Sequence, residues 1–255
     1  MSEQPPNGTD PTSVSAAPEG SRPSPFQRFG HALVLSPKAF QGPFRPADWL
    51  VTLLIVVVIQ LAMVLWIQDL VLEHAKERTT TQLQSGDSAL DTQQSEETWG
   101  KVEAGVRAAT IAGPIVGVPL ACLVAAAVLM LILNFVFGGS VRFAPLWAVA
   151  CLARAPDAIE SILFGVLAKT RGNVDISFGP AAFLPGNGSV LRDVLGVFNI
   201  FDLWMLGIQL VGVGVVAALP RGKTRAAVLI AWIAWWIFSI AAAVVGHLFQ
   251  GRGGT

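Results

Sequence analysis

The chain reads as all-α, a polytopic transmembrane helix bundle of about five spans with interfacial helices beside it, and three observations predict this. Hydrophobic residues make up 53% of its 255 residues and charged residues only 13%, where a soluble domain carries about 25% charged residues. The apolar residues gather in long runs, and a hydrocarbon core of about 30 Å needs about 20 of them in a helix. The polar residues, in contrast, collect in the N-terminal stretch and in the connections between runs.

Residues 1–25 are rich in Pro, Ser, Gly and Thr, a composition that cannot offset its ordering entropy, so a disordered tail is expected. Over residues 26–45, Phe26, Phe29 and Leu33 recur at helical spacing near Arg28 and Lys38. That pattern predicts a short amphipathic segment lying in the membrane interface.

A five-span membrane domain is expected over residues 46–250, with residues 251–255 as a C-terminal tail. Its spans are Trp49–Leu70, Pro114–Phe137, Pro145–Leu167, Val197–Leu219 and Ala226–Phe249. Apolar sequence ahead of the second span starts near Val102, too early for one crossing, and Pro114 and Pro119 interrupt it. An approach helix ending near Gly113, with Trp99, Val102 and Val106 on one face, accounts for the excess. A polar loop is expected over Glu73–Glu97.

Composition also excludes several functions. The 17 basic residues balance 17 acidic ones and form no dense block, so no electrostatic source for nucleic-acid binding exists. Cys122 and Cys151 fall in apolar runs and are expected to pack as small hydrophobes. No basic segment followed by an apolar one opens the chain, so the first span is expected to act as the insertion signal.

Catalytic signatures are missing as well. His31, His74 and His247 are scattered, and no H-E-x-x-H occurs, so no catalytic residue, metal ligand or cofactor is expected. Gly212, Gly214 and Ala217 imitate a dinucleotide fingerprint but lie inside an apolar helix with no strand ahead of it. Asn7 and Asn187 head N-x-S/T sequences, whose use depends on compartment and side.

The third span carries the candidate site. Arg154, Asp157 and Glu160 lie near its centre, and three such charges cost roughly 8 kcal/mol on the insertion scale. The apolar residues of the same segment return only about 3–5 kcal/mol, so the charges must face protein or water. At 100° per residue Ala150, Ala153, Arg154, Asp157, Glu160 and Ser161 fall on one side, and Leu152, Ile159, Leu163 and Val166 on the other. Pro156 predicts a kink that frees the Leu152 carbonyl.

Asn199, Asp202 and Gln209 of the fourth span are further intramembrane polar candidates. Asp202 can pair with Arg154 or Arg107, or snorkel to the interface. The cluster is expected either to line an ion, proton or substrate path, or to fasten helices through an Arg154–Asp157 pair.

Small residues recur as stripes, Gly113, Gly117, Ala121 and Ala125 in the second span and Gly207, Gly214 and Ala218 in the fourth. Such stripes predict helix packing within the chain or between copies. Trp232, Trp235 and Trp236 lie deeper than an interfacial belt, where packing or lipid contact accounts for them.

Basic residues set the expected orientation. Arg221, Lys223 and Arg225 share one short loop, Arg142 lies in another, and Arg22, Arg28, Lys38 and Arg45 precede the first span. For five spans these place the N-terminus in the cytoplasm and the acidic loop outside.

Four segments resemble the Yip family of Ypt/Rab-interacting membrane proteins and its bacterial relatives, over about residues 35–246. They are Ser36-Pro37-Lys38-Ala39-Phe40, Phe137-Gly138-Gly139-Ser140, Ala153-Arg154-Ala155-Pro156 and Asn199-Ile200-Phe201-Asp202-Leu203-Trp204. The resemblance implies five spans, a cytoplasmic N-terminus, and an organising role exercised through contacts in vesicle traffic or membrane-complex assembly. The N-terminal motifs of eukaryotic members are not evident, so small-GTPase binding does not carry over. The lack of tyrosine and the Ala, Val and Gly usage suit a GC-rich bacterium, whose plasma membrane would be the location; a eukaryotic chain would belong in early secretory membranes.

Two functions are therefore expected in competition. One is a non-enzymatic interaction protein whose partners are the bilayer, other membrane proteins or a second copy. The other is a small transporter or channel using the charged cluster of the third span.

Overall fold

The computed structural model describes residues 23–85, 92–184 and 189–252, and among the described residues every regular element is helical. Residues 1–22 of the expected tail, Asn7 and Asn187, and residues 253–255 lie outside the described residues.

Helix α1 spans Pro25–Leu33. The Ser24 hydroxyl accepts the Gln27 N–H at 3.2 Å while the Gln27 side chain accepts the Ser24 N–H at 2.8 Å, a reciprocal cap that fixes where the helix starts. A 3₁₀ turn, Pro37–Phe40, follows. Helix α2, Pro46–Trp66, opens on a proline at its first position, where the missing N–H costs nothing.

The expected polar loop is mostly helix. After a turn at Ile67 the chain continues as α3, Gln68–Ser85, and α4 begins at Thr92 and runs to Ala112, packed against α3. The residues of this stretch are polar but largely good helix formers, and polarity alone does not distinguish a loop from a water-exposed helix pair.

The second apolar helix does not start at Pro114 either. Helix α4 passes through a π-helical segment, Gly113–Gly117, into α5, Val118–Leu131, and ends in a second π segment, Ile132–Val136. The wider turn accommodates prolines that an α-helix would break around. The result is one apolar helix of 38 residues, Trp99–Val136.

The remaining helices are α6, Phe143–Ala153, α7, Ala155–Arg171, α8, Val190–Gly196, α9, Ile200–Val216, and α10, Arg221–Arg252. Arg221, Lys223 and Arg225 thus lie in the first turns of α10 rather than in a loop. Among the described residues four helical stretches are long and apolar enough to cross a membrane: Pro46–Trp66, Trp99–Val136, Val190–Val216 and Arg221–Gly246. The third expected span falls on α6 and α7, of 11 and 17 residues, and is not among these four.

Helix α6 lies at the centre, packed by α2, α5 and α9. This is why Leu152, expected to face outward, is buried, while Leu163 and Val166 of α7 are exposed as expected. Cys122 and Cys151 are both buried and free. The outer surface carries many large apolar side chains, among them Leu54, Val58, Ile230 and Trp235, as a lipid-solvated bundle requires.

Glycines admit the closest approaches. A Cβ at Gly212 would lie 2.7 Å from Val149 Cγ1 and 2.9 Å from Phe40 Cε1, so α9 receives the 3₁₀ turn where only hydrogen fits. Gly212→Leu is expected to destabilise the fold by about 1–3 kcal/mol through overpacking, read as a lower thermal unfolding midpoint in detergent; an unchanged midpoint contradicts this packing. Gly138 turns the chain after the second span at φ +66°. The Asn134 amide fastens that turn, donating to the Val141 carbonyl at 3.0 Å and accepting its N–H at 2.8 Å.

Candidate functional site

Depth can be reckoned along α2, whose 21 residues span about 31 Å. Helix α7 runs in the same direction, since Gly165 abuts Met63 and the Asp175 carboxylate lies 3.7 Å from His74 Nε2. Glu160 and Asp157 precede Gly165 by five and eight residues, which places them about 7 and 12 Å further in. Both lie within the hydrocarbon-length part of the bundle.

The chain breaks twice at this depth. Arg154 separates α6 from α7, with the N–H of Arg154 donating to the Cys151 carbonyl at 3.2 Å and that of Asp157 to the Arg154 carbonyl at 3.0 Å. These tight turns replace the regular ladder next to Pro156, which has no N–H to offer. The second break lies between α8 and α9, where Asn199 caps α9 by accepting the Phe201 N–H at 3.1 Å. The capping side chain also donates through Nδ2 to Glu160 Oε1. Asn199 therefore starts one half-helix and orients a carboxylate of the other.

Each break places an acidic residue in the first turn that follows, Asp157 in α7 and Asp202 in α9, where the N-terminal amides favour negative charge. Asp157 Oδ2 accepts from Arg154 Nη1 at 3.2 Å. Its carbonyl accepts the Ser161 hydroxyl at 2.6 Å. Asp157 is only 5% exposed, and its Oδ1 has no hydrogen-bond donor among the described residues.

Arg154, Asp157, Glu160, Asn199 and Asp202 all line one cavity of about 470 Å³. Its other walls come from α2, through Gln60 and Met63, from Pro114 of the π segment, and from Met205 of α9. A second cavity, of about 400 Å³, shares Glu160, Phe164 and Asn199 with the first and is otherwise walled by residues from 174–181 and by Arg192, Asp193 and Gly196. A third, of about 310 Å³, shares Val174 and Asp175 with the second and reaches Glu73, His74 and Glu77 of α3. A succession of polar spaces thus runs from the intramembrane cluster to the helical hairpin, with the Glu160–Asn199 contact between the first two.

Arg154, Asp157, Glu160, Asn199 and Asp202, five of the six polar candidates of the third and fourth spans, therefore meet. Of the two alternatives for Asp202, the pairing is not found: among the described residues no ion pair joins it to Arg154 or Arg107, and Arg107 pairs with Glu103 at 3.0 Å. Gln209 lies elsewhere, accepting from Trp232 Nε1 at 2.9 Å. Trp232 and Trp236 pack edge to face at 5.7 Å, whereas Trp235 is 56% exposed.

The small-residue stripes divide. Gly207 packs against Leu35, where a Cβ would come within 2.7 Å of Leu35 Cδ2. Gly113, Gly117 and Gly214 are exposed with nothing within 4 Å, and Ala121 is half-buried.

A second buried charge has no signature in the residue pattern. Arg28 of α1 is fully buried, with Nη1 donating to the Ala39 carbonyl at 2.7 Å and Nη2 to the Gln41 carbonyl at 2.9 Å. Its Nε lies 3.7 Å from Asp48 Oδ1, and Phe44 stacks on the guanidinium at 5.0 Å. Trp204 Nε1 donates to the Leu33 carbonyl at 2.8 Å, tying the same segment to α9. Helix α1 thus turns its charge toward the bundle and leaves Phe26 exposed, the orientation suited to lipid rather than water.

No family model matches the chain, and neither a curated protein nor a solved structure does.

Proposed function

We propose that this integral membrane protein is a small transporter or channel whose path passes Arg154, Asp157, Glu160 and Asp202. The observation that carries this reading is the polar cavity within the bundle, which shares Glu160 and Asn199 as a common wall with a second polar space. A pair that merely fastened helices would need no cavity, and a dry contact would be the more stable arrangement. Two helices interrupted within the bilayer, each with polar residues at its break, are a construction suited to moving polar solutes. With the α6–α7 pair counted as a crossing, the chain crosses five times. Arg221, Lys223 and Arg225 at the short α9–α10 connection support a cytoplasmic N-terminus, in the plasma membrane if the source is bacterial.

The purified protein in sealed vesicles is expected to pass charge or small solute down an imposed gradient, and Asp157→Asn with Glu160→Gln is expected to lower that flux about tenfold or more. Absence of flux under proton, alkali-ion and organic-cation gradients contradicts the reading.

A specific observation favours the second reading, a non-enzymatic organising protein of the kind the Yip family resemblance implies. Gly113 and Gly117 form an open face with nothing packed on it, which suits association with another membrane protein or a second copy. On that reading the double neutral variant leaves assembly and phenotype intact, whereas Gly113→Leu with Gly117→Leu abolishes assembly. Chemical cross-linking in native membrane separates the two.

A further inference from the structure

Three carboxylates and one guanidinium line the 470 Å³ cavity. Arg154 accounts for one carboxylate, Asp157, and the Asn199 amide donates to a second, Glu160. The third, Asp202, has no ion pair or side-chain hydrogen bond among the described residues. The cavity therefore holds more carboxyl groups than cationic ones, and a cation entering it would favour their ionised forms. An independent sign of an unfilled role is Asp157, more than nine-tenths buried at the same wall, whose Oδ1 meets no donor.

Volume and lining narrow the kind of cation. Among the described residues no three His, Cys, Asp or Glu converge closely enough to hold a metal ion. The space has room for roughly fifteen water-sized groups. Its remaining walls are substantially apolar, with Met63, Val64 and Ile67 from the end of α2 and Phe164 and Met205 about one turn beyond Glu160 and Asp202. An apolar chamber with a few polar groups at one side is the usual form of a site for an organic molecule.

We propose that the cavity binds an organic cation, an amine or quaternary ammonium with an apolar body, its charge set against Asp202 and its body against Met63, Phe164 and Met205. This deepens the transport reading and rests on the same cavity.

The test measures binding and flux separately on the full chain in lipid nanodiscs and in sealed vesicles, with benzyltrimethylammonium as the probe and benzenesulfonate as an anion of similar size. Saturable binding of the ammonium ion and none of the sulfonate is expected. Asp202→Asn should weaken the ammonium binding by about tenfold or more, the scale of a lost charged contact. Met205→Trp, which fills the chamber and leaves Asp202 in place, should abolish it and shows that the loss is one of space as well as charge. Thermal unfolding of each variant confirms that it is folded. Equal binding of the sulfonate, unchanged affinity in folded Asp202→Asn, or no saturable ammonium binding overturns the proposal. Binding in the expected pattern without flux upholds the site and removes the transport reading; flux of another ion without ammonium binding does the reverse.

Discussion

Replacing Arg28 by alanine is expected to destabilise the protein by about 3–5 kcal/mol and to free the N-terminal segment from the bundle. The guanidinium is fully buried and serves three partners at once, the carbonyls of Ala39 and Gln41 and the carboxylate of Asp48, which is itself 3% exposed. Removing it leaves a buried carboxylate without its counter-charge and two carbonyls without their donors, the most expensive kind of polar deletion. Arg28→Lys is not conservative here, because one ammonium cannot reproduce the fork that reaches separate carbonyls. In the Arg28→Met, Asp48→Leu pair the unpaired charge disappears, so part of the loss is recovered and the remainder belongs to the two carbonyls and to the Arg45 N–H that Asp48 caps at 2.8 Å. The readouts are the unfolding midpoint and the rate of proteolysis within residues 25–45. Equal protease resistance in the parent and in Arg28→Ala contradicts the docking.

The second large effect is expected at Arg154→Met, again about 3–5 kcal/mol, because Asp157 then loses its one side-chain donor while remaining buried. Adding Asp157→Asn should recover most of that loss by removing the stranded charge. The size of the effect also reports on the cavity. A loss under about 1 kcal/mol indicates that water entering the cavity solvates Asp157 as well as Arg154 does, whereas the full loss places Asp157 in the dry wall and leaves Asp202 and Glu160 as the groups in contact with solute. Denaturation in mixed micelles followed by tryptophan fluorescence measures both, since all four states of the double-mutant cycle can be compared directly.

The two interruptions also explain why a charged helix tolerates the bilayer. An unbroken third span would carry three charges into hydrocarbon with too little apolar surface to compensate. The break at Arg154 lets α6 be enclosed by α2, α5 and α9 while α7 turns Asp157 and Glu160 toward α2 and α9. Asn199 then couples the two broken crossings, since its one side chain caps α9 and holds Glu160. Four short sequence segments lie at these structural joints: residues 36–40 in the 3₁₀ turn seated on Gly212, 137–140 in the turn fastened by Asn134, 153–156 at the break at Arg154 and 199–204 at the cap of α9.

The membrane class and the polar face of the third apolar run are legible from the residues alone. Apolar length and the cost of charge in hydrocarbon are local properties, legible residue by residue, so the lengths near Trp49–Leu70 and Ala226–Phe249 and the polar face through Arg154, Asp157 and Glu160 follow without a structure. Pro156 announced its kink for the same reason, because a missing N–H is a property of one residue.

Tertiary structure alone decided the rest. Nothing local says that Pro114 would be absorbed in a π turn, that the polar stretch after Ile67 would stay helical, or that Leu152 would be enclosed; each depends on what packs alongside. The burial of Arg28 against Ala39, Gln41 and Asp48, and the meeting of Glu160 with Asn199 across 39 residues of chain, arise only when distant segments share one space. Periodicity reports which face of a helix is apolar, but only three-dimensional packing decides whether that face meets lipid, another helix or a cavity.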